Sequence, residues 1–482
     1  MMFPRGHSSA LGGAWGGVHH GRKGNVPNFG TGDLGIPGAG RADKKAGGCM
    51  TVATTTAPKA GAGYRYLVVG LLAVVYTFNF MDRQIMSTLA EPIRKDLGLS
   101  DTAIGALGGL TFALFYTTFG IPVAWLSDRF KRVWIMAAAC GIWSLFTASC
   151  GLATNFLQLA LSRIMVGAGE AGGSPPSYSL ISDYFPAKER GTGLAIYSLG
   201  VPLGSMLGVI LGGGVAAAHG WRVAFFAVGL PGVILALLML LIVREPKRGG
   251  LDEMALGAEA HAPPPPAGEV IAAFFANRTL ACVAIACGLS AFAGYAMLNW
   301  NVPMLMRVKG ASLKEVSAYY GWVIGVTGVI GTFMAGWLAD KLGHKDRRWY
   351  AWIPVVAFTL SLPALAGLIW APTWKIALMF IAVPALLNNM YLAPALAVVQ
   401  NAVPPGQRTM AGAILLFVLN LIGLGGGPIF LGRVSDWAKP HYGDHSLLVG
   451  YAALAPVIVL AIIAHLICAG SIARDKRLAV AL

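Results

Sequence analysis

The chain has 482 residues, 56% of them hydrophobic and only 12% charged, with a mean hydropathy of +0.65. A soluble domain carries about 25% charged residues, so this composition excludes a soluble enzyme or binding module. The net charge of +15 does not point to nucleic acid, because the basic residues sit in short connections between apolar runs rather than along one stripe.

Residues 1–62 are rich in Gly, Ala and His and hold no apolar stretch long enough for a signal peptide. They read as a disordered leader, with Met50 just before the first span as an alternative start. Apolar runs of about 20 residues then recur, each long enough to cross a bilayer. In the first half, residues 63–243, the expected spans are 65–89, 102–126, 133–153, 156–184, 191–216 and 222–243. Residues 244–278 form the longest connection, an expected cytoplasmic linker carrying Pro263 to Pro266, which read as a stiff extended spacer. The second half, residues 279–470, holds spans at 279–305, 317–339, 350–370, 374–402, 409–432 and 447–470, and 471–482 form a cytoplasmic tail.

Five cysteines, Cys140, Cys150, Cys282, Cys287 and Cys468, fall inside these spans and Cys49 in the leader. Their spacing suggests neither a metal site nor a disulfide framework. Loops on one side of the spans hold more Lys and Arg, among them Arg129, Lys131, Arg132, Lys188, Lys341 and Lys345, than loops on the other, with Arg94, Lys95, Arg222, Arg307, Arg433 and Lys439. The excess places both termini in the cytoplasm.

The halves repeat each other. At one fixed offset Gly109, Trp125 and Asp128 match Gly321, Trp337 and Asp340; at a second, Pro176, Pro186 and Arg190 match Pro394, Pro404 and Arg408. The expected fold is therefore an all-α membrane protein of twelve transmembrane helices in two pseudo-symmetric six-helix halves, with a substrate path between them.

The loop after the second span reads Ala124-Trp-Leu-Ser-Asp128-Arg129-Phe-Lys131-Arg132, and the loop after the eighth reads Gly336-Trp-Leu-Ala-Asp340-Lys341-Leu-Gly343-His344-Lys345. The second resembles in full the Gly-x-x-x-Asp-Arg/Lys-x-Gly-x-Arg/Lys loop of the major facilitator superfamily; the first departs from it at Ala124, Lys131 and Val133. The resemblance implies the major facilitator fold and makes Asp128, Arg129, Asp340 and Lys341 a cytoplasmic gate, formed when that side is closed. A few charge-assisted bonds of about 1.5–3 kcal/mol each suffice to bias a rocking equilibrium.

The fourth span contains Arg163-Ile-Met-Val-Gly167-Ala-Gly169-Glu170-Ala171, similar to the superfamily's helix 4 motif, and the first contains Asn79-Phe-Met-Asp82-Arg83-Gln84. An Asp-Arg pair in helix 1 with Gly-Ala-Gly-Glu-Ala in helix 4 resembles the spinster family of lysolipid and sphingolipid transporters and its bacterial relatives, over residues 60 to 470. The resemblance implies that Asp82 and Glu170 are the protonatable pair, with Arg83 and Arg163 as cationic partners. Physics favours the same four independently. An ionised side chain near the bilayer centre costs about 2.5–3.5 kcal/mol even on the lenient scale, so two acids and two arginines are expected to meet one another facing a wet cavity. A carboxylate that alternates between a proton and an arginine is a coupling element. The alternative is a static network joining helices 1 and 4, with Arg83 at the outer interface.

The second half has neutral polar residues instead: Tyr295 and Asn299 on the seventh span, Asn388 and Asn389 on the tenth, Asn420 on the eleventh. They are candidates for a softer substrate wall, or simply for hydrogen bonding between helices. His465, near the end of the last span, is expected to be peripheral. No segment resembles an ATP-binding domain, and no Ser/His, paired-Asp or metal-ligand constellation suggests an enzyme.

The sequence thus reads as a proton-coupled secondary carrier, without cofactor or metal, moving an organic anion or lysolipid-like amphiphile by alternating access. It is expected to work as a monomer in a bacterial inner membrane, with protons and membrane lipid as its other partners. An uptake carrier for small organic acids, a multidrug exporter and a membrane sensor that has lost transport are the rival readings.

Overall fold

The computed structural model describes residues 61–186, 189–248, 266–404, 407–475 and 478. The leader up to residue 60 and Pro263 to Pro265 of the linker lie outside the described residues, within which every regular element is helical. That follows from the solvent: in hydrocarbon each apolar run must satisfy its own N–H and C=O groups, and a helix does so within one segment.

Helix α1 is Ala62–Thr88, followed by a short α2, Ala90–Leu97. Then come α3, Asp101–Ser127, and α4, Arg132–Cys150. The fourth span is not the single helix expected over 156–184. It divides into α5, Phe156–Glu170, and α6, Ser174–Tyr184. Pro175 and Pro176 stand in the first turn of α6, where their missing N–H groups break no helical bond, whereas a continuous helix would place them in its interior. Helices α7, Arg190–His219, and α8, Trp221–Ile242, complete the first half.

Helix α9, Ala267–Ala276, lies in the stretch read as linker. Helix α10 is Arg278–Val308 and α11 is Leu313–Gly343, the latter started by a Ser312–Glu315 capping box. Helices α12, Trp349–Trp370, and α13, Trp374–Ala402, follow. Helix α14, Arg408–Leu419, runs through a π turn at Asn420–Leu424 into α15, Gly425–Tyr442, well beyond the expected end at 432. A turn at Gly443, φ +52°, leads to α16, Ser446–Ala452, and α17, Leu454–Arg474. With α5–α6, α14–α15 and α16–α17 each counted as one pass, the described residues make twelve. Further π turns interrupt α3 at Ala106–Leu110, α7 at Gly208–Gly212 and the end of α10 at Met304–Val308.

The halves meet through α3 against α15 and α7 against α11, and glycines show how. At one end the packing is backbone to backbone: a Cβ on Gly105 would stand 2.4 Å from Pro428 O, on Gly109 2.5 Å from Leu424 O, and on Gly432 2.4 Å from Asp101 O. On Gly213 it would be 2.2 Å from Ser317 Oγ, and on Gly321 2.5 Å from Ile210. Toward the other end of the same four passes, a Cβ on Gly120, Gly191, Gly336 or Gly412 would meet nothing within 4 Å. The halves are sealed against each other where α2 begins; the end where the Asp-basic loops lie, at which these glycines make no such contact, is the parted end.

Candidate functional site

One buried charge cluster of the first half lies on α1 and α5. Asp82 on α1 and Arg163 and Glu170 on α5 are each 1% exposed. Arg83 Nε donates to Glu170 Oε2 at 2.6 Å. Its guanidinium lies 4.9 Å from the ring centre of Phe80, 4.8 Å from Phe112 and 4.6 Å from Tyr116, an aromatic surround that offsets part of its desolvation. Arg83 is therefore built into the network rather than standing at the outer interface.

Arg163 is held differently. Its Nη1 donates to the backbone oxygen of Asp82 at 3.4 Å, its Nε to Leu107 O at 3.5 Å, and Phe112 lies 5.3 Å beneath it. Asp82 has no ion pair among the described residues, and Asp82 Oδ1 and Glu170 Oε1 are buried without hydrogen-bond partners. The expected two-by-two pairing thus resolves into one ion pair, Arg83–Glu170, with Asp82 and Arg163 adjacent. Gly167 makes the approach possible: a Cβ there would stand 2.7 Å from Phe112 O.

Of the neutral candidates, Tyr295 and Asn299 lie within the regular helix of α10, and Asn388, Asn389 and Asn420 at irregular turns. Asn299 joins the halves by accepting from Ser87 Oγ at 2.9 Å, while its amide donates to Tyr295 O at 3.0 Å. Tyr295 packs against the apolar core of the first half as well as its own. Asn388 and Asn389 open a 3-10 turn within α13, and Asn420 opens the π turn after α14. Asn388 faces Gly294, where a Cβ would come within 2.2 Å of its amide. His465 is not peripheral. It is 4% exposed, 2.9 Å from Ser290 Oγ and stacked on Phe358, because the face of α17 that carries it turns inward onto α10 and α12.

At the parted end, Asp340 is exposed. Lys341 lies 4.5 Å over Trp337, and Arg129 3.6 Å over Trp125, so both cations fold onto their own helices. The side chain of Asp128 lies outside the described residues.

The sealed end holds a further charged group, of which only Arg94 and Arg307 entered the count of loop charges above. Arg307 on α10 binds Asp101 at 2.7 and 2.9 Å and Glu91 at 2.7 and 3.0 Å. Arg94 adds 2.8 Å to Glu91, and Ser435 Oγ donates to Asp101 Oδ2 at 2.7 Å. Burial would raise the Glu91 carboxyl, but hydrogen bonds from Arg94 and Arg307 hold it below its ordinary value. The available signal was the placement of two of only 21 acidic residues beside the second span. Within the first half, Arg132 binds Asp183 at 2.5 Å, Glu245 at 2.7 Å and Ser179 at 2.6 Å, fastening α4 and α6 to the chain beyond α8.

The model of the Major Facilitator Superfamily matches residues 72–428. A protein of Mycolicibacterium smegmatis named as an MFS-type efflux pump is 35% identical, over 82% of this chain and 90% of its own. The hexuronate transporter of Bacillus subtilis is 27% identical, over 82% and 93%. Among solved structures, a bacterial homologue of the human lysosomal transporter spinster, in an inward-facing and unoccupied conformation, superposes with a TM-score of 0.73. It shares 30% identity and covers 86% of this chain and 97% of that one.

Proposed function

The chain belongs to the Major Facilitator Superfamily, and on that premise we propose that it is a proton-coupled carrier of an organic anion, with a lysolipid-like amphiphile as its substrate. The observation that carries this reading is the Arg83–Glu170 pair at 2.6 Å inside a ring of aromatic side chains, with an unpaired carboxylate, Asp82, beside it. A permanently charged guanidinium can hold either Glu170 or an anionic head. An incoming anion competes for Arg83, and the carboxylate it displaces is best kept in a dry site by taking a proton. Substrate and proton then occupy the site together. Phe80, Phe112 and Tyr116 supply apolar surface for the part of the substrate next to its head.

The parted end, with its excess of Lys and Arg, is read as cytoplasmic and the Arg307 end as outer, which makes the present state inward-facing. The sealed and parted ends then exchange as the halves rock, with Asp128, Arg129, Asp340 and Lys341 closing the cytoplasmic side.

The test is transport in proteoliposomes under an imposed pH gradient, comparing a radiolabelled lysophospholipid with a hexuronate. Gradient-driven movement of the lysophospholipid, lost in Glu170→Gln and Asp82→Asn with folding intact, is expected. Movement of the hexuronate alone would replace the amphiphile with a small acid. Accumulation undiminished in both variants would refute proton coupling through these carboxylates.

A further inference from the structure

We propose that Asp436 is a gate residue: a second latch on the sealed end, distinct from the Arg307 ion pairs, that must release before that end can open. The inference rests on the rocking-carrier reading and adds a residue to it.

Asp436 belongs to α15, in the stretch beyond the expected end of its span, and reaches across the interface between the halves. Its Oδ1 accepts from the backbone N–H of Asp101 at 3.0 Å; its Oδ2 accepts from the N–H of Thr102 at 2.7 Å and from Thr102 Oγ at 2.6 Å. The next two amides of α3 are closed locally, Ala103 N to Ser100 Oγ at 3.1 Å and Ile104 N to Ser100 O at 3.1 Å. The amides of Asp101, Thr102 and Ala103, which the helix itself leaves unpaired at its start, are therefore satisfied, two of the three only by a side chain of the other half. A carboxylate is the right group there, being an acceptor with two oxygens set at the positive end of the helix.

The arrangement grips Asp101 twice. Its side chain is held by Arg307 and Ser435, and its backbone by Asp436. Neutralising the Asp101 carboxylate loosens the first grip and leaves the second in place, because backbone amides do not titrate. Gly432, one turn before Asp436, lets α15 come close enough for this reach, since its Cα faces Asp101 O. The sealed end thus carries two chemically different latches, one between charges and one between a charge and backbone dipoles, and opening requires both to part.

The test uses the full chain in nanodiscs at neutral pH, with spin labels at Lys95→Cys on α2 and His441→Cys on α15, both exposed. Wild type is expected to give a single short distance. Asp101→Asn keeps most of it, Asp436→Asn shifts the open-to-sealed ratio about tenfold, equivalent to about 1.4 kcal/mol, and the double variant opens further than either alone. Thr102→Val, which removes one bond and no charge, gives a smaller shift in the same direction and serves if Asp436→Asn is poorly folded. Arg307→Ala is the internal control. If it opens the sealed end while Asp436→Asn and Thr102→Val leave the distances of wild type, the second latch does not exist. If no variant, Arg307→Ala included, yields an open population, the halves do not rock and the carrier reading falls with it.

Discussion

Substituting Gly432 by Ala tests whether the sealed end is held by backbone contact between the halves. The new methyl carbon would stand 2.4 Å from Asp101 O, 2.8 Å from Asp101 C and 3.0 Å from the indole of Trp300. Two of these three atoms are backbone of α3, which cannot turn aside as a flexible side chain would. Overpacking of this kind costs about 1–3 kcal/mol. The clash is with the other half, so it exists only while this end is sealed, and the cost falls on the conformational equilibrium more than on folding. At 1.4 kcal/mol per factor of ten, the open-to-sealed ratio should rise by roughly 5-fold to 140-fold. Gly412→Ala is the matched control, because its methyl group meets nothing within 4 Å in this state. Labelling of a cysteine at position 317, which is 4% exposed in this state and faces Gly213 across the sealed interface, by an impermeant maleimide in sealed vesicles reads opening of that end directly. Equal labelling of Gly432→Ala, Gly412→Ala and the parent would refute the claim that close glycine packing holds the halves together there.

Arg83→Ala removes one member of the buried pair, leaves Glu170 without its cation and should destabilise the fold by about 3–5 kcal/mol; melting in detergent, compared with Arg83→Ala/Glu170→Gln, should show the double variant recovering part of the loss. The lowered Glu91 carboxyl gives the Arg307 lock a pH dependence with a definite sign: a depressed acid stabilises the sealed end above its ordinary value of 4.5 and loses that contribution as pH falls through the depressed value. Accessibility at the sealed end should therefore rise on acidification and lose this component in Glu91→Gln; an identical pH profile in that variant would remove Glu91 from the lock. His465→Phe should cost about 1–3 kcal/mol, by leaving Ser290 buried and unpaired, without altering transport; a transport defect at unchanged melting temperature would give the histidine a functional role.

What could be read along the chain is what depends on near neighbours in sequence. Hydropathy marked the apolar passes because each must close its own hydrogen bonds in lipid, and the repeat placed equivalent motifs at equivalent helix ends. Asp82, Arg83, Arg163 and Glu170 stood out because charge within an apolar run is rare and costly. Even locally there were limits. The α5–α6 break was signalled by Pro175 and Pro176, yet a continuous hydropathy profile hid it, and the helical extension of α15 to Tyr442 is too polar to read as a span.

The tertiary structure decided which charges meet. Arg83 rather than Arg163 takes Glu170, where Phe80, Phe112 and Tyr116 converge from α1 and α3 around its guanidinium, while Arg163 shares only Phe112 and donates to backbone oxygens. Arg307 lies 216 residues from Glu91 and 206 from Asp101, and Asp436 lies 335 from the amide it binds; no local pattern can join such positions. His465 faces inward for the same reason: the buried face of a helix that is apolar on all sides is chosen by its neighbours and not by its own periodicity. Hydropathy is a property of a segment, so one sequence determines twelve passes. A gate is a relation between two halves that move, and its residues are defined only once one packing of those halves places them within hydrogen-bond reach.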